Sequence, residues 1–207
     1  MNGARHARAA IVYLHGFRSS PASTKAKQVV RAVEALAARD RPALHVPALE
    51  VAPDAAIAQV ASWIDTHVDV PERRLTFIGS SLGGYYATHL AERYGARAVL
   101  INPAIRPARD LRPYLGPQTN LYTGATFIVT QAHFDALAAL AVDRITHPAR
   151  YWLMVQTGDE VLDFREAIAF YAGAYQLVEG GGEHAFAGFE RQVPAILRFA
   201  GVDRGGG

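Results

Sequence analysis

The sequence predicts an α/β protein built on an open, mostly parallel sheet of six strands with helices on both faces. Three observations carry this. Short apolar runs of strand length alternate with segments of helical periodicity, the pattern of βαβ units. Some of these runs are apolar throughout rather than alternating, so both faces of the strand are buried, as in a parallel sheet. A Gly-x-Ser-x-Gly sequence, Gly79-Ser80-Ser81-Leu82-Gly83, falls between one such run and the helical segment that follows it.

The elements follow in order. Ala9 to Leu14 is a continuous apolar run and forms the first strand. The turn His15-Gly16-Phe17-Arg18-Ser19-Ser20-Pro21 ends it. Lys25 to Arg39 has helical periodicity through Ala26, Val29, Val33 and Leu36. Ala43 to Pro47 is a short second strand. Pro53-Asp54 opens a helix that reaches about His67, with Ile57, Val60, Ala61 and Ile64 on one face. Arg74 to Ile78 is the third strand, and a helix to Tyr94 follows Ser81. Arg97 to Ile101, Tyr151 to Gln156 and Ala174 to Val178 are the fourth, fifth and sixth strands. Helices are expected at Asp163 to Tyr171 and at Phe186 to Phe199. Residues 1–204 form one domain, and Gly205 to Gly207 read as a disordered tail.

The stretch from Asn102 to Arg150 is too long for an ordinary connection. It begins irregularly, through Pro103, Pro107, Pro113 and Pro117, and its second half, Ala125 to Val142, reads as helix. An insertion at the carboxyl end of a strand lies on the rim where ligands bind. Two readings stand: a partial cap over the site, or a core helix with a meandering lead-in. Arg106, Arg109 and Arg112 either attract an anionic leaving group or form a solvated face.

Bulk properties narrow the function classes. With 207 residues, half of them hydrophobic, the chain is long enough for one sizeable core. The net charge of +2, without a Lys/Arg-rich run, gives no nucleic-acid footprint. No stretch approaches a membrane span, and the apolar run after the N-terminus is too short for a signal peptide. The absence of cysteine excludes disulfides, thiolate nucleophiles and cysteine-ligated metals. A cytoplasmic protein is the default expectation.

Strand, sharp turn and helix around Ser81 are the context of a nucleophile elbow, with Gly79 and Gly83 letting strand and helix pass closely. In a sheet of order 2-1-3-4-5-6 the winding reverses between strands one and three. The turn at His15 and Gly16 then faces the elbow across the crevice. Acyl transfer needs two backbone N–H donors for the oxyanion, and these positions supply Leu82 and Phe17. A dinucleotide loop would need more glycines than this turn has. A serine also needs a base. Of the eight histidines, His184 alone follows the sixth strand on the same rim, after Gly180-Gly181-Gly182, a run expected to leave it free to swing. His15 starts the oxyanion turn and is expected to be structural. The base needs a carboxylate. Asp159, after Gly158 at the end of strand five, is preferred over Asp163, which is placed to cap the next helix. The chain order Ser81, Asp159, His184 is that of a serine hydrolase of this kind. The other class is a non-catalytic binding module on the same fold.

These segments resemble the α/β-hydrolase superfamily, and within it the small YqiA-type esterases. The similarity covers Tyr13-Leu14-His15-Gly16-Phe17, Ser19-Ser20-Pro21 with Lys25-Ala26, and Gly79 to Ala87. It continues through Asn102-Pro103-Ala104, Tyr114-Leu115-Gly116, Tyr122-Thr123-Gly124, Gln156 to Asp163 and Gly181 to Phe186. The resemblance implies hydrolysis of small carboxylic esters, with acyl thioesters as a second substrate class, and no cofactor or metal. Arg18 departs from the small polar residue expected after His-Gly-Phe, which bears on substrate preference. No N-terminal antiparallel hairpin is evident, so the expected fold is a minimal α/β-hydrolase with a cap-like insertion.

Overall fold

The computed structural model describes residues 8–69 and 74–202; the glycine tail lies outside them. The main sheet is formed by β1 (Ala10–Leu14), β2 (Ala43–His45), β3 (Leu75–Ser80), β4 (Arg97–Ile101), β7 (Tyr151–Gln156) and β8 (Tyr175–Glu179). Its order is β2-β1-β3-β4-β7-β8, and every neighbouring pair is parallel. This is the expected order, with the winding reversed between β1 and β3.

Parallel pairing buries both faces of the central strands, and their alternating side chains feed two separate cores. Ala10, Val12 and Leu14 of β1 point into one core, together with Phe77, Leu100 and Leu153. Ile11 and Tyr13 point into the other, with Ile78, Val99 and Met154. The first core is closed by α2 (Pro53–His67), α3 (Leu82–Tyr94), the short α4 (Pro107–Asp110), α5 (Gln131–Ala139) and α6 (Phe164–Phe170). The second is closed by α1 (Thr24–Glu34) and α7 (Val193–Phe199).

Three elements differ from the sequence reading. The first helix stops at Glu34, five residues short of Arg39. The last helical segment divides into a single 3-10 turn, Phe189–Arg191, and α7. Ala125 to Val142 is not one helix. Thr126–Val129 is a strand, β6, antiparallel to β5 (Gly116–Thr119), and α5 begins only at Gln131. Its start is fixed by a reciprocal cap between Thr130 and His133. The apolar residues Phe127, Ile128 and Val129 fit helical and extended spacing equally, and pairing with a distant Gly-Pro-Gln-Thr strand decides for extended.

Candidate active site

Ser81 sits at the turn between β3 and α3 with φ 55° and ψ −122°. That left-handed conformation is costly for a residue with a Cβ, and the surroundings impose it. The Ser81 amide donates to the Ile101 carbonyl at 3.0 Å, and the Ser81 carbonyl accepts from the amides of Gly84 and Ala104. Gly79 and Gly83 make the turn possible. A Cβ on Gly83 would collide with the Leu14 carbonyl, and one on Gly79 would collide with the Gly83 carbonyl. Strand β1, strand β3 and helix α3 thus meet at backbone contact.

Around Ser81 the loops converge as the topology requires. His184 Nε2 lies 3.0 Å from Ser81 Oγ, and His184 Nδ1 lies 2.9 Å from Asp159 Oδ2 and 3.0 Å from Oδ1. Asp159 is held by its own loop, since Oδ1 accepts from the amides of Val161 and Leu162 at 2.9 Å. Burial pushes the Asp159 carboxyl up. The hydrogen bond from His184 and the two amides outweigh this and hold it below the usual aspartate value. Asp163 takes no part: it is the N-cap of α6, accepting from the Arg165 amide at 2.9 Å.

The turn after β1 lies directly against the elbow. A Cβ on Gly16 would come within 3.1 Å of the Ser81 Cβ. His15 is buried and fixes this turn: its Nδ1–H donates to the Gly16 carbonyl at 3.0 Å, and Nε2 accepts from the Leu49 amide at 3.2 Å. Burial pushes the imidazole pKa down, against the opposing pull of the Gly16 carbonyl, so the ring is neutral. Leu82 is the first residue of α3, and its amide is one of the four at a helix start without an intrahelical acceptor.

The histidine loop is clamped, contrary to the expectation that three glycines leave it free to swing. Asn102 Nδ2 donates to the Glu183 and His184 carbonyls, both at 3.0 Å, while its Oδ1 accepts from the Gln156 amide. Gln156 Oε1 accepts from the amides of Glu183 and Ala187, and Glu160 Oε2 accepts from the His184 amide. Lys25 Nζ donates to the Ala185 carbonyl at 2.7 Å. Gly182, at φ +76°, has no room for a Cβ because the Gln156 side chain occupies it. The glycines therefore permit a tight backbone path rather than freedom. Asn102 and Gln156 are only 2% and 3% exposed. The sequence reading assigned them no role. Their signal was present: each is a polar residue at the carboxyl end of an apolar strand. Arg18, Ser81, Asn102 and Phe186 are the four non-glycine residues at positive φ among those described, and all belong to the loops around this site.

A cavity of about 180 Å³ adjoins the elbow. Its wall combines Phe17, Leu82 and Tyr86 with Phe127, Phe134 and Leu137 from the insertion. The insertion is tied to the turn after β1. Arg18 Nε donates to the Thr119 carbonyl at 2.9 Å, the Leu121 amide donates to the Arg18 carbonyl, and Asn120 Nδ2 donates to the Ser19 carbonyl at 2.7 Å. Phe17 packs edge-on against Tyr114 and Phe127. Arg18, the residue that departs from the resembled pattern, is thus a strut. Arg109 is paired with both carboxylate oxygens of Glu166 and with Asp110, and Arg112 lies over the Phe134 ring. These two arginines serve the packing of the insertion.

Comparison with known proteins agrees with this architecture. The chain belongs to the family described as the uncharacterised protein family UPF0227, whose model matches residues 10–201. Among solved structures, a protein from Agrobacterium vitis S4 superposes with a TM-score of 0.69 at 20% identity, over 93% of this chain and 88% of that one. The mouse α/β-hydrolase domain-containing protein 10 gives 0.65 at 14% identity, over 91% and 89%. The esterase domain of a Rhodothermus marinus protein gives 0.66 at 15%, over 93% and 86%. At these identities the likeness speaks for the fold, and the fold is that of the α/β-hydrolases. Among the described residues, no helix is long and apolar enough to cross a membrane.

Proposed function

We propose that the protein is a serine hydrolase that cleaves carboxylic esters of small molecules, and thioesters of the same acyl groups, through an acyl-enzyme intermediate. The observation that supports this best is the continuous hydrogen-bond chain from Ser81 Oγ through His184 to Asp159. In this reading His184 Nε2 takes the Ser81 proton as Oγ attacks the acyl carbonyl carbon. Asp159, ionised at neutral pH, orients the imidazole and balances the imidazolium that forms. The tetrahedral oxyanion receives hydrogen bonds from the Leu82 and Phe17 amides. His184 then returns the proton to the leaving alcohol or thiol, and a water activated by the same nitrogen releases the acid. The 180 Å³ cavity takes the acyl group, with the insertion as its cap. By comparison with a 150 Å³ apolar cavity that holds benzene, it accommodates about seven carbon atoms. The reading requires no cofactor or metal.

Fluorophosphonate labelling tests it. Wild-type protein is expected to become labelled at Ser81. Ser81→Ala is expected to stay folded by circular dichroism, to escape the probe and to lose on the order of 10⁶ in turnover of a p-nitrophenyl ester. A folded Ser81→Ala variant with activity within tenfold of wild type would refute the proposal.

A further inference from the structure

A second cavity, of about 280 Å³, neighbours the apolar one, and Ser19 lines both. The apolar cavity touches Leu82, the residue after Ser81. The second touches Ser80, the residue before it, together with Glu183 and Ala185, which flank His184. Its character is different. Ser23, Gln28, Lys25 and Glu190 face it from α1 and from the turn before α7. Two of the three buried side-chain atoms without a hydrogen-bond partner among the described residues are in this wall: Ser23 Oγ and Gln28 Oε1. Ser23 is 7% exposed. It precedes α1 but its hydroxyl makes no capping bond, and it lies beside the buried Tyr13 hydroxyl. A buried polar atom left unpaired costs about 1–3 kcal/mol, so these two point to a ligand that supplies donors.

We propose that this cavity is the alcohol-side subsite of the hydrolase and that it selects a neutral, hydroxyl-rich leaving group, a polyol. The inference rests on the ester-hydrolase reading above. An alkyl chain would leave Ser23 Oγ and Gln28 Oε1 unpaired. An anionic group would meet the carboxylates of Glu183 and Glu190 in the same wall. A polyol both donates and accepts. It can donate hydrogen bonds to Gln28 Oε1 and to Glu183, and accept one from the Lys25 ammonium, which uses only one of its three donors on the Ala185 carbonyl. Burial pushes Lys25 down to about 8, against the pull of Glu183 and Asp159, so the ammonium form still prevails at neutral pH. By the same benzene comparison, a volume of 280 Å³ holds roughly eleven non-hydrogen atoms, a glycerol with room to spare or about one hexose.

The test keeps the acyl group constant. Wild-type kcat/KM is measured on 1-monobutanoylglycerol, 6-O-butanoylglucose and propyl butanoate. At least one polyol ester is expected to be preferred over the propyl ester by about tenfold, and the order of the two polyols tells a glycerol site from a sugar site. In a Ser23→Ala/Gln28→Leu variant that preference is expected to shrink to about twofold or less. A ratio near one in the wild type, or a ratio unaffected in the variant, overturns the proposal. Calorimetric binding of the same esters to Ser81→Ala protein separates the two readings. Polyol-selective binding that the double substitution abolishes supports the subsite even if the wild type turns over none of the esters, in which case the hydrolase reading falls alone. Ester hydrolysis without polyol selectivity in either assay sinks the subsite alone.

Discussion

At the scale of single residues, two aspartates four positions apart have different jobs, and their surroundings account for the difference. Asp159 is 2.9 Å from His184 Nδ1, whereas Asp163 accepts from a helix-start amide. Asp159→Asn is expected to fold normally and to lower turnover by roughly 10⁴, because the amide favours the wrong imidazole tautomer. Asp163→Ala is expected to keep near-normal turnover and lose about 1 kcal/mol of stability. Steady-state kinetics and urea melts of both variants check this, and a kinetically dead Asp163→Ala would reverse the assignment. His15 gives a pH prediction. Its folded-state pKa is lowered below the ordinary value of 6.5, chiefly by burial, and burial lowers His45 and His89 in the same direction. Above about pH 6.5 both folded and unfolded histidines are neutral and stability is at its full value. As pH falls through that point the unfolded chain takes protons that the folded chain resists, and stability declines. The melting temperature is therefore expected to drop between about pH 7.5 and pH 5.5, and to drop less steeply in His15→Gln. Calorimetry showing a flat or rising profile over that range would contradict the account.

At the scale of elements, the elbow was legible and the insertion was only partly so. Gly79, Ser81 and Gly83 act through contacts between chain neighbours and the adjoining strand end, so their spacing carries the geometry. The β5–β6 pair joins Gly116–Thr119 to Thr126–Val129 across a turn without a short hairpin signature, and its place depends on Arg18 of the β1 turn reaching Thr119 and on Asn120 reaching Ser19. The loop after β8 misled for a related reason. Three consecutive glycines read as freedom, but Asn102 and Gln156, distant in sequence, hold the backbone of Glu183, His184 and Ala187. The insertion also carries a specificity prediction. Phe127 lies in the wall of the apolar cavity and packs against Phe17. Phe127→Ala should lengthen that space, raising kcat/KM for an octanoyl ester relative to a butanoyl ester by about tenfold. An unchanged chain-length profile would remove Phe127 from the acyl pocket.

At the scale of the whole molecule, the proposed catalytic groups come from the ends of β3, β7 and β8, and the proposed oxyanion turn from the end of β1. The buried sheet fixes their relative positions. The insertion is less well supported: Leu121 and Ile128 are exposed, and β5 and β6 form a separate two-stranded sheet. Such a segment opens at lower cost than the core. Esterase activity is therefore expected to fail at a lower urea concentration than the far-ultraviolet circular dichroism, because Thr119 and Asn120 hold the proposed oxyanion turn. Superimposed activity and dichroism curves would show instead that insertion and sheet unfold as one unit.

The sequence by itself determined the strand and helix alternation, the parallel sheet, the winding reversal and the elbow. These rest on local periodicity and on near-neighbour sterics, which a short window of residues contains. It also narrowed the proposed acid and base to named loops, because topology sends successive strand ends to one rim. Only the tertiary structure decided that Ala125 to Val142 divides into strand and helix, that Arg18 is a strut, that Arg109 is taken by Glu166, and that Asn102 and Gln156 clamp the histidine loop. The last three depend on a hydrogen bond or ion pair between residues far apart in the chain, and the first on strand pairing across a turn without a hairpin signature. The free energy that decides them comes from a partner absent from the local sequence, so no local pattern encodes the outcome.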